Sequence, residues 1–181
     1  MKTKLLTAVT AISLLLGACT SISTKTEFDK TTDFSQLKTY RWGQSTTDIE
    51  KTGKTLDRII EDVGNIANDN IPPLVNEELK TKGYTLIDEG KPDFIVQYAL
   101  KSTVEEQQRR ETYVPGTSHV TSIDQAGAMV IGKMTIYVLE PDSFKLLWRG
   151  EADAIIKADG KTRTRINRTV KKLMGDFPSR Q

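Results

Sequence analysis

A single cysteine, Cys19, stands among the 181 residues. Whatever this chain folds into must therefore be held by packing and hydrogen bonds, with no internal disulfide. The position of that cysteine narrows the problem further. Met1-Lys2-Thr3-Lys4 precedes an apolar stretch from Leu5 to Leu16, and Gly17 and Ala18 then lead to Cys19. Two lysines, a short apolar region and small residues at the junction fit a secretory signal, whose apolar part usually runs roughly 7–15 residues. A membrane-spanning helix would need about 20, and Thr7, Thr10 and Ser13 weaken the stretch still more. Residues 1–18 are thus expected to be removed, and 163 of the 181 residues are left to build one domain with a real core.

Leu16-Gly17-Ala18-Cys19 resembles the bacterial lipobox. The resemblance implies cleavage after Ala18, diacylglycerol on the Cys19 sulfur through a thioether, and an acyl chain of the palmitate type on the new amino group. A buried CH₂ contributes roughly 0.8 kcal/mol, and two chains anchor stably where one does not. Thr20 in place of Asp after the cysteine favours, by analogy with enterobacterial sorting, the periplasmic face of the outer membrane. Residues 19–24 are expected to be the lipidated cysteine and a short tether, and residues 25–178 a single domain close to the bilayer.

Charge removes one class of function. The precursor has 26 Lys and Arg against 24 Asp and Glu, but Lys2 and Lys4 leave with the signal, so the remainder is balanced. Nucleic-acid binding has no global electrostatic support.

The period of apolar residues sets the elements. Ile22–Phe28 and Thr39–Trp42 read as strands, and residues 43–55 as a polar loop. Leu56, Ile59, Ile60, Val63, Ile66 and Ala67 form a helical stripe. Asn70-Ile71-Pro72-Pro73 interrupts it, with Asn70 a candidate N-cap. A second helix or a kinked continuation carries Leu74, Val75 and Leu79 and ends at Gly83 as C′ residue. Strands follow at 84–87, at 93 to about 103 with Phe94, Val96, Tyr98 and Leu100 on one face, at 129–139, and at 145–157. A last helix from about Thr164 carries Ile166, Val170, Leu173 and Phe177. This order predicts an α+β fold: a mainly antiparallel or mixed sheet of about six strands with two or three helices packed on one face.

Several segments are similar to a lipoprotein family known as DUF4136, a domain of unknown function. They are Phe28-Asp29 followed by Asp33-Phe34-Ser35-Gln36-Leu37-Lys38-Thr39-Tyr40-Arg41-Trp42, Lys91-Pro92-Asp93-Phe94-Ile95-Val96-Gln97-Tyr98, and Gly132-Lys133-Met134-Thr135-Ile136-Tyr137-Val138. Leu146-Leu147-Trp148-Arg149-Gly150-Glu151-Ala152 and Val170-Lys171-Lys172-Leu173-Met174-Gly175-Asp176-Phe177-Pro178 complete the set. The likeness runs in order from about residue 23 to 178. It implies a lipid-anchored α/β domain, and it transfers no catalytic residue.

Candidate sites are few. Ser118, His119 and Asp124 invite a triad reading, but all three lie in one loop, whereas working triads are assembled from separate rigid elements. One histidine and one lipidated cysteine leave no common transition-metal site. Asp57, Glu61 and Asp62 read as a solvated helix face, so no metal is expected. No phosphate loop and no Gly-x-Ser-x-Gly occur, and no cofactor is implied beyond the covalent N-acyl and S-diacylglycerol lipid on Cys19. Two surfaces stand out. Arg165, Arg168, Lys171 and Lys172 lie opposite the apolar stripe of the last helix and could meet an anionic envelope surface. Residues 105–126 form a long segment in which Tyr113, Val114 and Pro115 could contact a partner. Both Trp42 and Trp148 are expected in the core. The expected function is a non-catalytic envelope module that binds another envelope protein or an anionic polymer. The alternatives are a carrier or sensor of a small apolar ligand between sheet and helices, and a carboxylate-based glycan-acting enzyme.

Overall fold

The computed structural model describes residues 22–49, 54–105, 129–157 and 160–180. Among these residues, three strands, a helix, four strands and a second helix follow one another. They are β1 (Ser23–Phe28), β2 (Thr39–Trp42), β3 (Thr46–Ile49), α1 (Lys54–Thr81), β4 (Thr85–Leu86), β5 (Phe94–Glu105), β6 (Met129–Leu139), β7 (Leu146–Lys157) and α2 (Thr162–Gly175). The sheet order is β1-β7-β6-β5-β2-β4, with β3 also paired to β5. It is an α+β fold on a mixed sheet. The antiparallel half runs β5, β6, β7 and β1, whereas β2 and β3 pair with β5, and β4 with β2, in parallel. Of the two sheet types expected, mainly antiparallel or mixed, the sheet is mixed, with seven strands among the described residues against about six expected. The strand–helix–strand passage through α1 brings the chain back in the direction in which it left, as a crossover connection does.

The expected loop at 43–55 contains β3. Composition hides it, because β3 continues the line of β2 along β5 and, among the described residues, has no neighbour on its other side. Tyr40, Arg41 and Trp42 lie opposite Phe94, Ile95 and Val96, and Thr46–Ile49 then continue opposite Ala99–Ser102. At the break, the Gly43 N–H donates to the Val96 carbonyl at 2.9 Å. A Cβ on Gly43 would come within 2.6 Å of the Ile95 and Gln97 side chains, so only glycine lets the chain pass this close.

Pro72 and Pro73 do not end the helix. α1 runs through both for 28 residues, so the chain takes the continuation and not a second helix. Asn70 is no cap, and its side-chain amide donates back to the Ile66 carbonyl at 2.5 Å. The prolines remove two backbone donors, but Ile71, Val75 and Leu79 are fully buried on either side of them, and that burial holds the turn. The helix ends as Gly83 predicts. Gly83 has φ +90°, its N–H donates to Lys80 O, and Tyr84 N–H donates to Leu79 O at 3.0 Å, the pair of bonds that closes a Schellman motif.

Both helices cover one face of the sheet. Phe94, Val96 and Tyr98 of β5, Met134, Ile136 and Val138 of β6, and Trp148 and Ala152 of β7 share a core with Ala67, Ile71, Val75 and Leu79 of α1 and with Ile166, Val170, Leu173 and Met174 of α2. At its centre lies Phe177, with ring centroids 5.5 Å from Phe34, 5.5 Å from Tyr84 and 5.2 Å from Trp148. Phe177 sits just past α2, which stops at Gly175, and not on the helix stripe itself. Trp148 is core as expected, whereas Trp42 is only half-buried and packs against the core from outside.

Candidate functional site

The segments that resemble the family are occupied with holding the chain together. Asp29 accepts from the Thr31 amide at 2.9 Å and the Thr31 hydroxyl at 2.7 Å, and pairs with Lys145 at 2.6 Å. Lys145 and the Thr31 donors hold its carboxyl well below the usual carboxylate range. Asp33 makes the same kind of turn with the hydroxyl and amide of Ser35, and these lower its pKa. Asp93 accepts the Lys38 and Thr39 amides, each at 2.8 Å, and the Thr39 hydroxyl at 3.0 Å. Burial pushes Asp93 up, but the bonds from Thr39 and Lys38 outweigh it, and the net pKa lies below the ordinary value. Asp93 thereby fixes the start of β2 against β5.

One residue downstream, the Tyr40 hydroxyl and the Trp42 indole N–H both donate to Asn76 Oδ1, each at 2.9 Å. This joins β2 to α1. Gly150 leaves room for the Trp148 ring, since a Cβ there would lie 2.3 Å from the indole. Perturbed carboxylates often mark functional sites. Here each shift has a local structural cause in a turn or a strand start. Among the described residues, no group of three or more His, Cys, Asp or Glu could hold a metal ion. Glu61 and Asp62 are exposed on α1, in keeping with a solvated face.

The surface with chemical character is α2. It carries five basic residues and no acidic one in Thr162–Gly175. Arg163, Arg168, Lys171 and Lys172 are exposed, and Arg165 is half-buried and not free of partners. Helix electrostatics does not account for this pattern. Arg163 and Arg165 fall in the first turn, where the macrodipole disfavours cations. The N-cap position, Lys161, makes no side-chain capping bond.

Lys172 has a second role that sequence reasoning missed. Its ammonium donates to the backbone carbonyl of Ile22, the residue that leads into β1. The basic face and the start of β1 therefore meet at one corner of the domain. Nothing in the sequence pairs residues 150 positions apart, so only the fold could show it. Cys19, Tyr113, Val114 and Pro115, together with Ser118, His119 and Asp124, lie outside the described residues.

A helix pair on one face of a mixed sheet, stapled by buried aromatic rings and short carboxylate turns, defines a small α+β domain with no assembled reaction centre among its described residues. The chain belongs to the DUF4136 family, described as a domain of unknown function, which matches residues 24–179. No curated protein matches it. Among solved structures it is similar to PelC from Paraburkholderia phytofirmans, crystallised as a dodecamer. The TM-score is 0.48 at 12% identity, covering 89% of this chain and 100% of that one. A DUF4136 family protein from Bacteroides thetaiotaomicron aligns with a TM-score of 0.42 and 11% identity over 88% of this chain and 98% of that one. A lipoprotein from Neisseria meningitidis gives 0.32 and 10% over 77% and 97%. At these scores the likenesses say nothing of activity or assembly. No helix among the described residues is long and apolar enough to cross a membrane.

Proposed function

We propose that the protein is a lipid-anchored, non-catalytic module of the bacterial cell envelope. It is held through Cys19 on the periplasmic face of the outer membrane, with the basic face of α2 resting against anionic groups beside the anchor. The observation that carries this reading is the bond from Lys172 to the Ile22 carbonyl. Cys19 and Ile22 are three residues apart in sequence, and three extended residues reach at most about 11 Å. Screening in physiological salt acts over about 8 Å. A chain fixed at Cys19 thus keeps Lys172 within about one to one and a half screening lengths of the surface it is fixed to, and inside one screening length unless the three residues are fully extended.

Each such charge contributes about 1 kcal/mol near an anionic membrane surface. Arg168 and Lys171 face solvent and are the pair to remove, because Lys172 also orders Ile22. Residues 20–181 should bind vesicles containing phosphatidylglycerol in low salt, release them as salt rises, and ignore purely zwitterionic vesicles. Arg168→Gln with Lys171→Gln should weaken this binding by about 2 kcal/mol, or roughly thirtyfold. Equal binding by parent and double variant, or binding indifferent to salt, would defeat the reading.

A further inference from the structure

We infer that β1 is a dimerisation edge, at which two copies of the chain pair β1 to β1, antiparallel, about a two-fold axis through Thr26. Among the described residues β1 has one strand neighbour, β7, and stands at the end of the sheet. Edge strands present unpaired backbone groups that template pairing with another chain. In β1 those groups can be assigned. Asp29 N–H donates to Leu147 O, and the register sets Phe28 opposite Trp148, Glu27 opposite Arg149, and so on to Ser23 opposite Asp153. Hydrogen-bonded and non-bonded pairs alternate in an antiparallel ladder. Glu27, Lys25 and Ser23 therefore bond to β7, and the amides and carbonyls of Thr24, Thr26 and Phe28 point away from it.

The sequence of this edge is complementary to itself in one register. A two-fold axis at Thr26 sets Thr26 against Thr26 of the second copy and Thr24 against Phe28, which uses every outward-pointing backbone group from Thr24 to Phe28. It sets Lys25 against Glu27 of the second copy, and Glu27 against Lys25. These are non-hydrogen-bonded pairs, in which side chains come closest and opposite charges attract. An axis at Lys25 or at Glu27 would oppose like charges, and an axis at Phe28 would set Glu27 against Asp29.

Phe28, 51% exposed at the open edge, gains a neighbour in Thr24 of the second copy. The two-fold axis of an antiparallel strand pair is perpendicular to the sheet, so both α2 helices stay on the same side of the joined sheet. The interface is isologous, as in most dimers. It does not depend on the lipid or on the basic face of α2.

The test uses the intact full-length chain in its membranes. Paired residues of the hydrogen-bonded type lie about 5.5 Å apart at Cα, within disulfide reach. Thr26→Cys should give, under mild oxidation, several-fold more dimer than Ser35→Cys, an exposed position outside β1, or than the parent with Cys19 alone. Adding Lys25→Glu to Thr26→Cys should suppress that dimer by setting like charges opposite each other. Thr26→Pro removes an outward N–H and none that β7 uses, so it should convert the chain to monomer in chemical crosslinking with an unchanged thermal transition. If Thr26→Pro lowers the transition, the Lys25→Glu arm decides alone. Thr26→Cys dimer no greater than the Ser35→Cys control would overturn the proposal. So would dimer that survives Lys25→Glu, or capture of a different protein by Thr26→Cys in place of a second copy.

Discussion

Replacing Asn76 by alanine should be among the most damaging single polar changes in the fold. Its Oδ1 accepts from Tyr40 and from Trp42, each at 2.9 Å, so truncation orphans two donors at once. Tyr40 is buried, so its hydroxyl loses most when orphaned, while half-buried Trp42 can recruit solvent. An unsatisfied buried donor costs about 1–3 kcal/mol. The full figure for Tyr40 and the low end for Trp42 together come to about 2–4 kcal/mol. For a domain of this size that lowers the melting temperature by roughly 6–12 °C.

Equilibrium urea unfolding of parent and variant measures the loss, and Asn76→Asp, which keeps acceptor oxygens, should recover most of it. Tyr40→Phe adds a second reading. It should cost about 1 kcal/mol in the parent and nothing, or a gain, once Asn76 is alanine, because the orphaned hydroxyl goes with it. A loss below about 0.5 kcal/mol for Asn76→Ala, which is ordinary for an uninvolved surface position, would show that this junction does not hold β2 to α1. So would equal costs of Tyr40→Phe in both backgrounds.

Gly150→Ala forces a methyl to within 2.3 Å of the buried Trp148 ring and should cost about 1–3 kcal/mol by overpacking. A differential scanning calorimetry trace matching the parent's would mean that the indole moves freely. Burial pushes Tyr40 and Tyr84 up to about 12, while the unfolded chain ionises its tyrosines near pH 10. Stability from these two groups is whole below pH 10 and is lost as the pH climbs through 12. Circular-dichroism melts across that range should show a steep alkaline loss, shallower in Tyr84→Phe. An identical slope in that variant would remove Tyr84 from the explanation.

Much of the fold was legible because local rules and burial agree in it. Alternation gave the inward face of β5, with Phe94, Val96 and Tyr98 in the core, and Gly83 marked the end of α1 as a residue that tolerates positive φ. What was not legible depends on distant parts of the chain. Thr46–Ile49 looks like a polar loop because an edge strand needs no apolar alternation, only a neighbour, and that neighbour, β5, lies about fifty residues on. Pro72 and Pro73 read as a break because their local cost is visible in sequence, whereas the buried Ile71, Val75 and Leu79 that outweigh it are a tertiary matter.

Asn76 and Asn68 carried no signal at all. Each is a polar residue inside a helix that becomes an acceptor, Asn76 for Tyr40 and Trp42 and Asn68 for Tyr98, only when the sheet docks. The basic character of α2 was plain from sequence. Its meeting with Ile22 was not, and that meeting is what joins the charge to the proposed tether.

Mass spectrometry of the native protein's N-terminus tests the central claim most directly. The mature chain should begin at Cys19, with a diacylglycerol thioether on its sulfur and an acyl group on its nitrogen. A native chain that retains Met1 and carries a free Cys19 thiol would contradict it, and would leave the α2 cations with no surface they are obliged to face.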